Sequence, residues 1–326
     1  MNNERRKFLL EMAAIAGISA IDGFGLLKSA SALENPQPEN QQANEEPSKD
    51  IKDYPHIMDV LRSNNIETHF PLLVSACAEP KANYLTKIPF LIELEVCKIW
   101  KESLFEWDAV SNAGAGGLQQ IMDFTAKGDL GLTIANSPEL RELNSSVAEN
   151  NRLRKEISSK RQSIYTLVDA GSGDLAQTTI DKINALRGEI AKLLEEKDTA
   201  YSKLKEAKSA YSRKIHSLSK EELTEFDARF VPELCVPAGA KYIVDITLEC
   251  QNYFGGPIEM NVWRGLASYN AGLQTSKNWY GMPFIRETVL YTRDIVFNLS
   301  KMMELKQAYS TGDSTLIAKT KSRLKL

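Results

Sequence analysis

Histidine is scarce in this chain of 326 residues. The three present, His56, His69 and His216, lie far apart, which argues against a His-rich metal site. The four cysteines (Cys77, Cys97, Cys235, Cys250) show no C-x-x-C spacing, so neither a zinc ribbon nor a thioredoxin-type redox site is expected. No run of about 18 uncharged apolar residues occurs, so no ordinary membrane span is visible. A basic excess is missing too: 40 Lys+Arg stand against 43 Asp+Glu, a formal net charge of −3, which argues against a dedicated nucleic-acid binder. What is present, 43% hydrophobic and 25% charged residues, is the make-up of an ordinary globular protein. The length suggests about two structural units.

The first residues read as an address. Arg5 and Arg6 precede Lys7-Phe8-Leu9, a weakly apolar stretch follows, and Ala30-Ser31-Ala32 supplies a small-residue cleavage site. RRKFL resembles the twin-arginine export motif. Glu4, Glu11 and Asp22 depart from it, and an amphipathic N-terminal helix is the alternative reading. On the export reading, residues 1–32 are a signal peptide and the protein acts in the periplasm or cell envelope. There the cysteines could pair in any of three complete ways; buried thiols are the other option. Residues 33–50, LENPQPENQQANEEPSKD, contain no aromatic or β-branched residue and form a polar tether.

From Tyr54 onward the patterning is helical. In 89–104, PFLIELEVCKIWKESL, Pro89 starts a helix that places Ile92, Val96 and Ile99 on one face. Residues 138–220 differ in character. Between these bounds there is no Pro, Trp, Phe or Cys, and Ile183, Leu186, Ile190, Leu193, Lys197, Ala200, Leu204, Ala207 and Tyr211 alternate steps of three and four. A weaker seam runs through Leu143, Val147, Leu153, Ile157, Ile164 and Val168, and Ala170–Asp174 reads as a turn. The expectation is an antiparallel coiled-coil hairpin with arms at about 138–169 and 175–220. After Val231 a helix opens at Pro237-Ala238-Gly239 and ends at Gly255-Gly256-Pro257, and a last helix follows Met282-Pro283. No alternating strand pattern occurs. The expected fold class is all-α.

Three strings carry chemistry: ESLFEWDAVSNAGAGGLQQIMDFTA at 102–126, ASYNAG at 267–272 and RETVLY at 286–291. In this order they resemble the ES-x-F/A-V-S-x-A-G-A-x-G-L-M-Q-x-M, A-x-Y-N-A-G and E-T-x-x-Y motifs of the soluble lytic transglycosylases. The segment DARFVPELCVPAGAKYI, 227–243, resembles the stretch before the second motif. The resemblance implies a lysozyme-like catalytic domain interrupted by the hairpin: a first part at 51–137, the insertion at 138–220, and a second part at 221–326. It also implies cleavage of the MurNAc–GlcNAc β-1,4 bond of peptidoglycan without water, giving 1,6-anhydro-MurNAc ends.

On that resemblance Glu102 is the catalytic acid, and then the base. A carboxyl can donate a proton near neutrality only where an apolar setting raises its pKa, and Trp100, Leu104, Phe105 and Trp107 surround Glu102 in sequence. The substrate-binding set carried over is Ser111, Gln120, Met122, Tyr269, Asn270, Glu287 and Tyr291, with the Tyr269 phenol expected to hydrogen-bond the acid. Each also has an ordinary structural role open to it: Ser111 capping a turn, Met122 in a core, Glu287 paired with Arg286 or Arg293. Gln119, Asp123 and Cys235 depart from the family pattern. Asp108 is the one candidate for the second carboxylate that a lysozyme-type hydrolase would need, and a loop or cap role suits it better. No metal or organic cofactor is implied. The expected partners are peptidoglycan glycan strands and, through the hairpin, a protein. A catalytically weak glycan-binding scaffold is the alternative from a different class.

Overall fold

The computed structural model describes residues 53–64, 70–77, 84–169 and 176–325. The expected signal peptide, the polar tether, the turn at 170–174 and His69 lie outside these residues. In chain order the helices are α1 (Pro55–Ser63), α2 (Phe70–Cys77), α3 (Tyr84–Lys87), α4 (Leu91–Ser103), α5 (Asp123–Gly128), α6 (Pro138–Asp169) and α7 (Gln177–His216). They continue with α8 (Lys220–Phe226), α9 (Pro232–Phe254), α10 (Ile258–Ala271), α11 (Leu273–Asn278), α12 (Arg286–Thr311) and α13 (Ser314–Leu324). Among the described residues there is no strand, only isolated bridges at Val110–Gly116, Gly116–Ile121 and Ile134–Asp227. The fold class is all-α. The chain divides into two compact units, one holding the described residues up to Glu106 together with Pro232–Leu326, the other Trp107–Val231.

In the first unit, α4 is the buried centre. Leu91, Ile92, Leu94, Val96, Cys97 and Ile99 are buried around nearly its whole circumference, against α2 and α12. A helix apolar on all sides belongs in a core. Three charges nevertheless lie on it without exposure: Glu93, Glu95 and Lys98. Glu93 Oε1 meets His56 Nε2 of α1 at 3.0 Å and Lys306 Nζ of α12 at 3.1 Å. Burial alone would raise the Glu93 pKa. The His56 hydrogen bond and the Lys306 charge outweigh it and hold the carboxyl at about 2.

Helix α9 starts at Pro232, five residues before the expected opening, and carries Pro237 inside it. Pro232 suits the first helical turn, and Cys235 and Val236 are buried, so packing extends the helix upstream past Pro237. All four cysteines are buried free thiols. Cys235 and Cys250 both lie on α9, so they cannot bridge along its length.

In the second unit, α6 and α7 share an apolar seam. Leu140 and Leu143 cluster with Leu204, Tyr211 and Ile215, while Leu153 and Ile157 cluster with Ile190, Leu193 and Ala200. Early residues of one helix meet late residues of the other, so the pair is antiparallel. Asn150 is buried within the seam of α6, a polar residue of the kind that fixes register at some cost in stability. Lys160 and Glu189 pair across the two helices. Toward Asp169 the seam opens: Tyr165, Val168 and Ile180 are exposed, Val168 among them despite its place in the sequence pattern.

The Glu93 cluster yields a stability prediction. A carboxyl held below its ordinary value stabilises the fold above pH 4.5, and that contribution is lost as the pH falls toward 2. Glu93→Gln should cost about 3 kcal/mol near neutrality, the order expected when one partner of a buried pair is removed. In urea unfolding, the gap between wild type and variant should close as the pH falls through that window; a gap independent of pH contradicts the assignment.

Candidate active site

Glu102 lies in the last turn of α4, and the chain turns sharply just after it. Leu104 (φ 53°) and Phe105 (φ 66°) both adopt the left-handed conformation, which costs a residue with a Cβ roughly 1–2 kcal/mol. Leu104 caps the helix, its N–H returning to the Trp100 carbonyl, and the Phe105 ring is buried and stacks on Trp100 at 6.4 Å between centroids. Packing of Phe105 offsets the strained turn and leaves Glu102 at the helix end, partly open to solvent.

Around the carboxyl are groups from three helices of the first unit. Tyr291 of α12 is buried, and its hydroxyl donates to Glu102 Oε1 at 2.6 Å. Tyr269 of α10 lies within electrostatic reach: burial, and then the Glu102 charge, push its phenol well above the ordinary value. Burial also raises the Tyr291 pKa, with Glu102 next in importance. For Glu102 itself, burial raises the pKa, the Tyr291 hydrogen bond and the Lys98 charge lower it, and Glu95 raises it. The balance places it at about 7. A carboxyl poised there can give up and take back a proton at neutral pH.

The remaining residues of the first unit are placed as follows. Asn270 is exposed, and its Oδ1 accepts from Thr288 Oγ1 at 2.7 Å, which ties the end of α10 to the start of α12. Glu287 is exposed on the first turn of α12, one helical turn before Tyr291. The E-T-x-x-Y spacing thus sends Thr288 to Asn270 and Tyr291 to Glu102. The motif match placed Tyr291 among the substrate-binding residues; the geometry sets its hydroxyl on Glu102.

Ser111, Gln120 and Met122 belong to the second unit. There Ser111 Oγ accepts from the N–H groups of Ala113 (3.2 Å) and Ala115 (2.9 Å). Gln120 (φ 46°) donates through Nε2 to the carbonyls of Ala109 (2.9 Å) and Gly117 (2.8 Å). Both side chains therefore shape the loop at 109–121. Met122 precedes α5 and is half-buried. Asp123, one of the departures from the family pattern, accepts from Asn144 of α6 at 3.1 Å. Asp108 sits 2.7 Å from His216 Nε2, so its carboxylate is engaged at the end of α7.

An element the sequence reading passed over holds this loop. Arg229 and Asp227 are buried without exposure; Arg229 bonds both Asp227 oxygens, at 2.7 Å through Nη2 and at 3.0 Å through Nε. Through Nη1 it donates to the carbonyls of Gly114 (3.1 Å) and Ile121 (3.0 Å). The Tyr211 hydroxyl donates to Asp227. Arg229 thus pins both ends of the glycine-rich turn. Two glycines permit the approach: a Cβ on Gly116 would lie 2.6 Å from the Phe230 ring, and one on Gly117 (φ 74°) 1.9 Å from the Arg229 carbonyl oxygen. The signal in the sequence was a pair of opposite charges two residues apart in the apolar context DARFV.

Residues 95–148 match the family model described as Transglycosylase SLT domain. Over this stretch the chain is similar to transglycosylase SLT domains. The match takes in Glu102, the loop pinned by Arg229, α5 and the start of α6, and it agrees with the motif resemblance and with the all-α, lysozyme-like fold. No curated protein and no solved structure matches the chain. The SLT match implies action on peptidoglycan of the lytic transglycosylase type. Among the described residues no helix is long and apolar enough to cross a membrane.

Two predictions concern the geometry of this site. Tyr291→Phe removes a hydrogen bond to the charged form of Glu102, worth about 1.5–3 kcal/mol. The carboxyl's titration midpoint, followed by carbon-13 NMR, should rise by about one pH unit; a fall would show that the bond does not favour the ionised state. Gly117→Ala should destabilise the second unit by about 3 kcal/mol or more, read as a lower thermal midpoint. Unchanged melting would contradict the close approach of Arg229.

Proposed function

We propose that the protein is a lytic transglycosylase that cleaves the MurNAc–GlcNAc β-1,4 bond of peptidoglycan and leaves 1,6-anhydro-MurNAc ends, with Glu102 as acid and then base. The observation that carries this reading is the Glu102 carboxyl, desolvated to a pKa of about 7 and bonded by Tyr291. Protonated Glu102 donates to the glycosidic oxygen, and the bond from that oxygen to C1 of MurNAc breaks. The GlcNAc hydroxyl leaves, and positive charge develops at C1. Glu102, now a carboxylate, takes the proton of the MurNAc C6 hydroxyl as that oxygen bonds to C1. The proton is back on Glu102 and no water is consumed. The attacking hydroxyl belongs to the same sugar, so its effective concentration is high.

The other roles follow the motif matches. Tyr269 and Asn270 line the sugar site beside the acid, and Glu287 lies one turn from Tyr291. Ser111, Gln120 and Met122 of the 109–122 loop are substrate-binding residues on the motif match; Ser111 and Gln120 are also used to build that loop. A second carboxylate would favour a hydrolase instead. Glu95 has no exposure and pairs with Lys98 at 2.9 Å, so it is not offered to a water, and Asp108 is engaged through Oδ2 by His216 at the end of α7. The reading further holds that residues 1–32 direct export to the periplasm or cell envelope. It also holds that α6 and α7, as an insertion between the two parts of the catalytic domain, position the enzyme or bind a protein partner.

Digestion of peptidoglycan with the full chain should release muropeptides lighter by one water than hydrolytic products, and Glu102→Gln should release none. Because the acid must be protonated, kcat/KM should fall about tenfold per pH unit above pH 7, the side on which Glu102 ionises. Reducing-end products would establish a hydrolase. Intact sacculus binding with no products from either protein would favour the scaffold.

A further inference from the structure

Glu95, Lys98 and Glu102 recur on α4 at steps of three and four, so the three charges stand in one column, negative, positive, negative. Glu95 and Lys98 have no exposure. Removing an ammonium and a carboxylate from water costs several kcal/mol per ion, so packing alone favours apolar residues at both positions. The ammonium makes three contacts. Lys98 Nζ lies 2.9 Å from Glu95 Oε1, donates to the Gly239 carbonyl of α9 at 3.3 Å, and sits 4.4 Å from the centroid of the Tyr269 ring. Tyr269 also packs against Tyr242 of α9, with centroids 5.5 Å apart. Lys98 therefore joins the helix that carries the acid to the two helices that frame Tyr269.

We propose that the Glu95–Lys98 pair is a positioning pair for the reaction: Lys98 seats the Tyr269 ring and keeps the ionised form of Glu102 accessible for its second role as base. The proposal rests on the transglycosylase reading, in which one carboxyl must exist in both states within a single turnover. Burial and the Glu95 charge both oppose the carboxylate. Lys98 works against them from one helical turn away, together with the Tyr291 hydroxyl of α12 and with Lys101, which is itself paired to Asp294 at 2.8 Å. Among the described residues, the Tyr269 phenol of α10 and the Cys77 thiol of α2 also face this column, and Cys235 and Tyr242 of α9 face Tyr269. Glu93 lies on the same helix and is engaged by His56 and Lys306.

The test uses the full chain with carbon-13-labelled glutamate. The Glu102 carboxyl is titrated by NMR, and kcat and KM for release of anhydro-muropeptides are measured across pH. For Lys98→Met the Glu102 midpoint should move up by about one pH unit or more, as expected when an opposite charge is removed. Its kcat should fall about tenfold or more, with KM within about twofold. The double variant Glu95→Gln/Lys98→Met removes both charges and serves even if the single variant fails to fold. Its Glu102 midpoint should return close to the wild-type value, while kcat stays low because the cation over Tyr269 is gone. An unmoved midpoint in Lys98→Met, or wild-type kcat in the double variant, overturns the proposal. Absence of anhydro products from wild type would defeat the transglycosylase reading instead, and the NMR titration would then decide the Lys98 assignment by itself.

Discussion

The site depends on a contest at one carboxyl. Desolvation at the end of α4 drives Glu102 toward its protonated form, while a phenol at 2.6 Å and an ammonium one turn below favour the ionised form. Without burial the group would be an ordinary surface glutamate, ionised well below neutrality and useless as an acid. Burial without donors would leave a carboxyl that never gives up its proton. The surrounding architecture serves this balance: α4 is packed on all sides, the strained Leu104–Phe105 turn stops the helix just beyond Glu102, and α12 delivers Tyr291 from nearly two hundred residues away in sequence.

Precision in the second unit comes from a different device. A guanidinium with no exposure is held by a carboxylate two residues away and spends two donor bonds on loop carbonyls. Such an arrangement tolerates no side chain at Gly117, where the chain passes against the Arg229 carbonyl. Ser111 and Gln120 are drawn into the same scaffold, so residues carried over as substrate contacts also define the shape of their loop. A structural role and a binding role are compatible here, because a serine hydroxyl that accepts two backbone N–H groups still has its own proton to donate.

Much of this was legible in the sequence. The helix through Ile92, Val96 and Ile99, the heptad seam of α7 and the absence of strands all follow from periodicity, and the order of the motifs led to Glu102. Other features were not legible, each for a physical reason. Periodicity treats charges as solvated, so Glu93, Glu95 and Lys98 do not register as interior residues; only long-range pairing with His56, Lys306 and Tyr269 makes them so. The start of α9 was displaced because Pro237 reads as a helix opening, whereas buried Cys235 and Val236 extend the helix to Pro232. Tyr291 was carried over as a substrate contact, and its bond to Glu102 was not legible because that partner is remote along the chain. The role of the Asp227–Arg229 pair was not legible because the carbonyls it holds, those of Gly114 and Ile121, lie more than a hundred residues away.

The central claim is that one carboxyl completes the reaction with a hydroxyl of the sugar and without water. Digestion of peptidoglycan in heavy-oxygen water tests it directly. The account predicts anhydro ends that carry no solvent oxygen at C1. Incorporation of one heavy oxygen per bond cleaved would mean that water is the nucleophile, and the single-carboxyl account of Glu102 would be wrong.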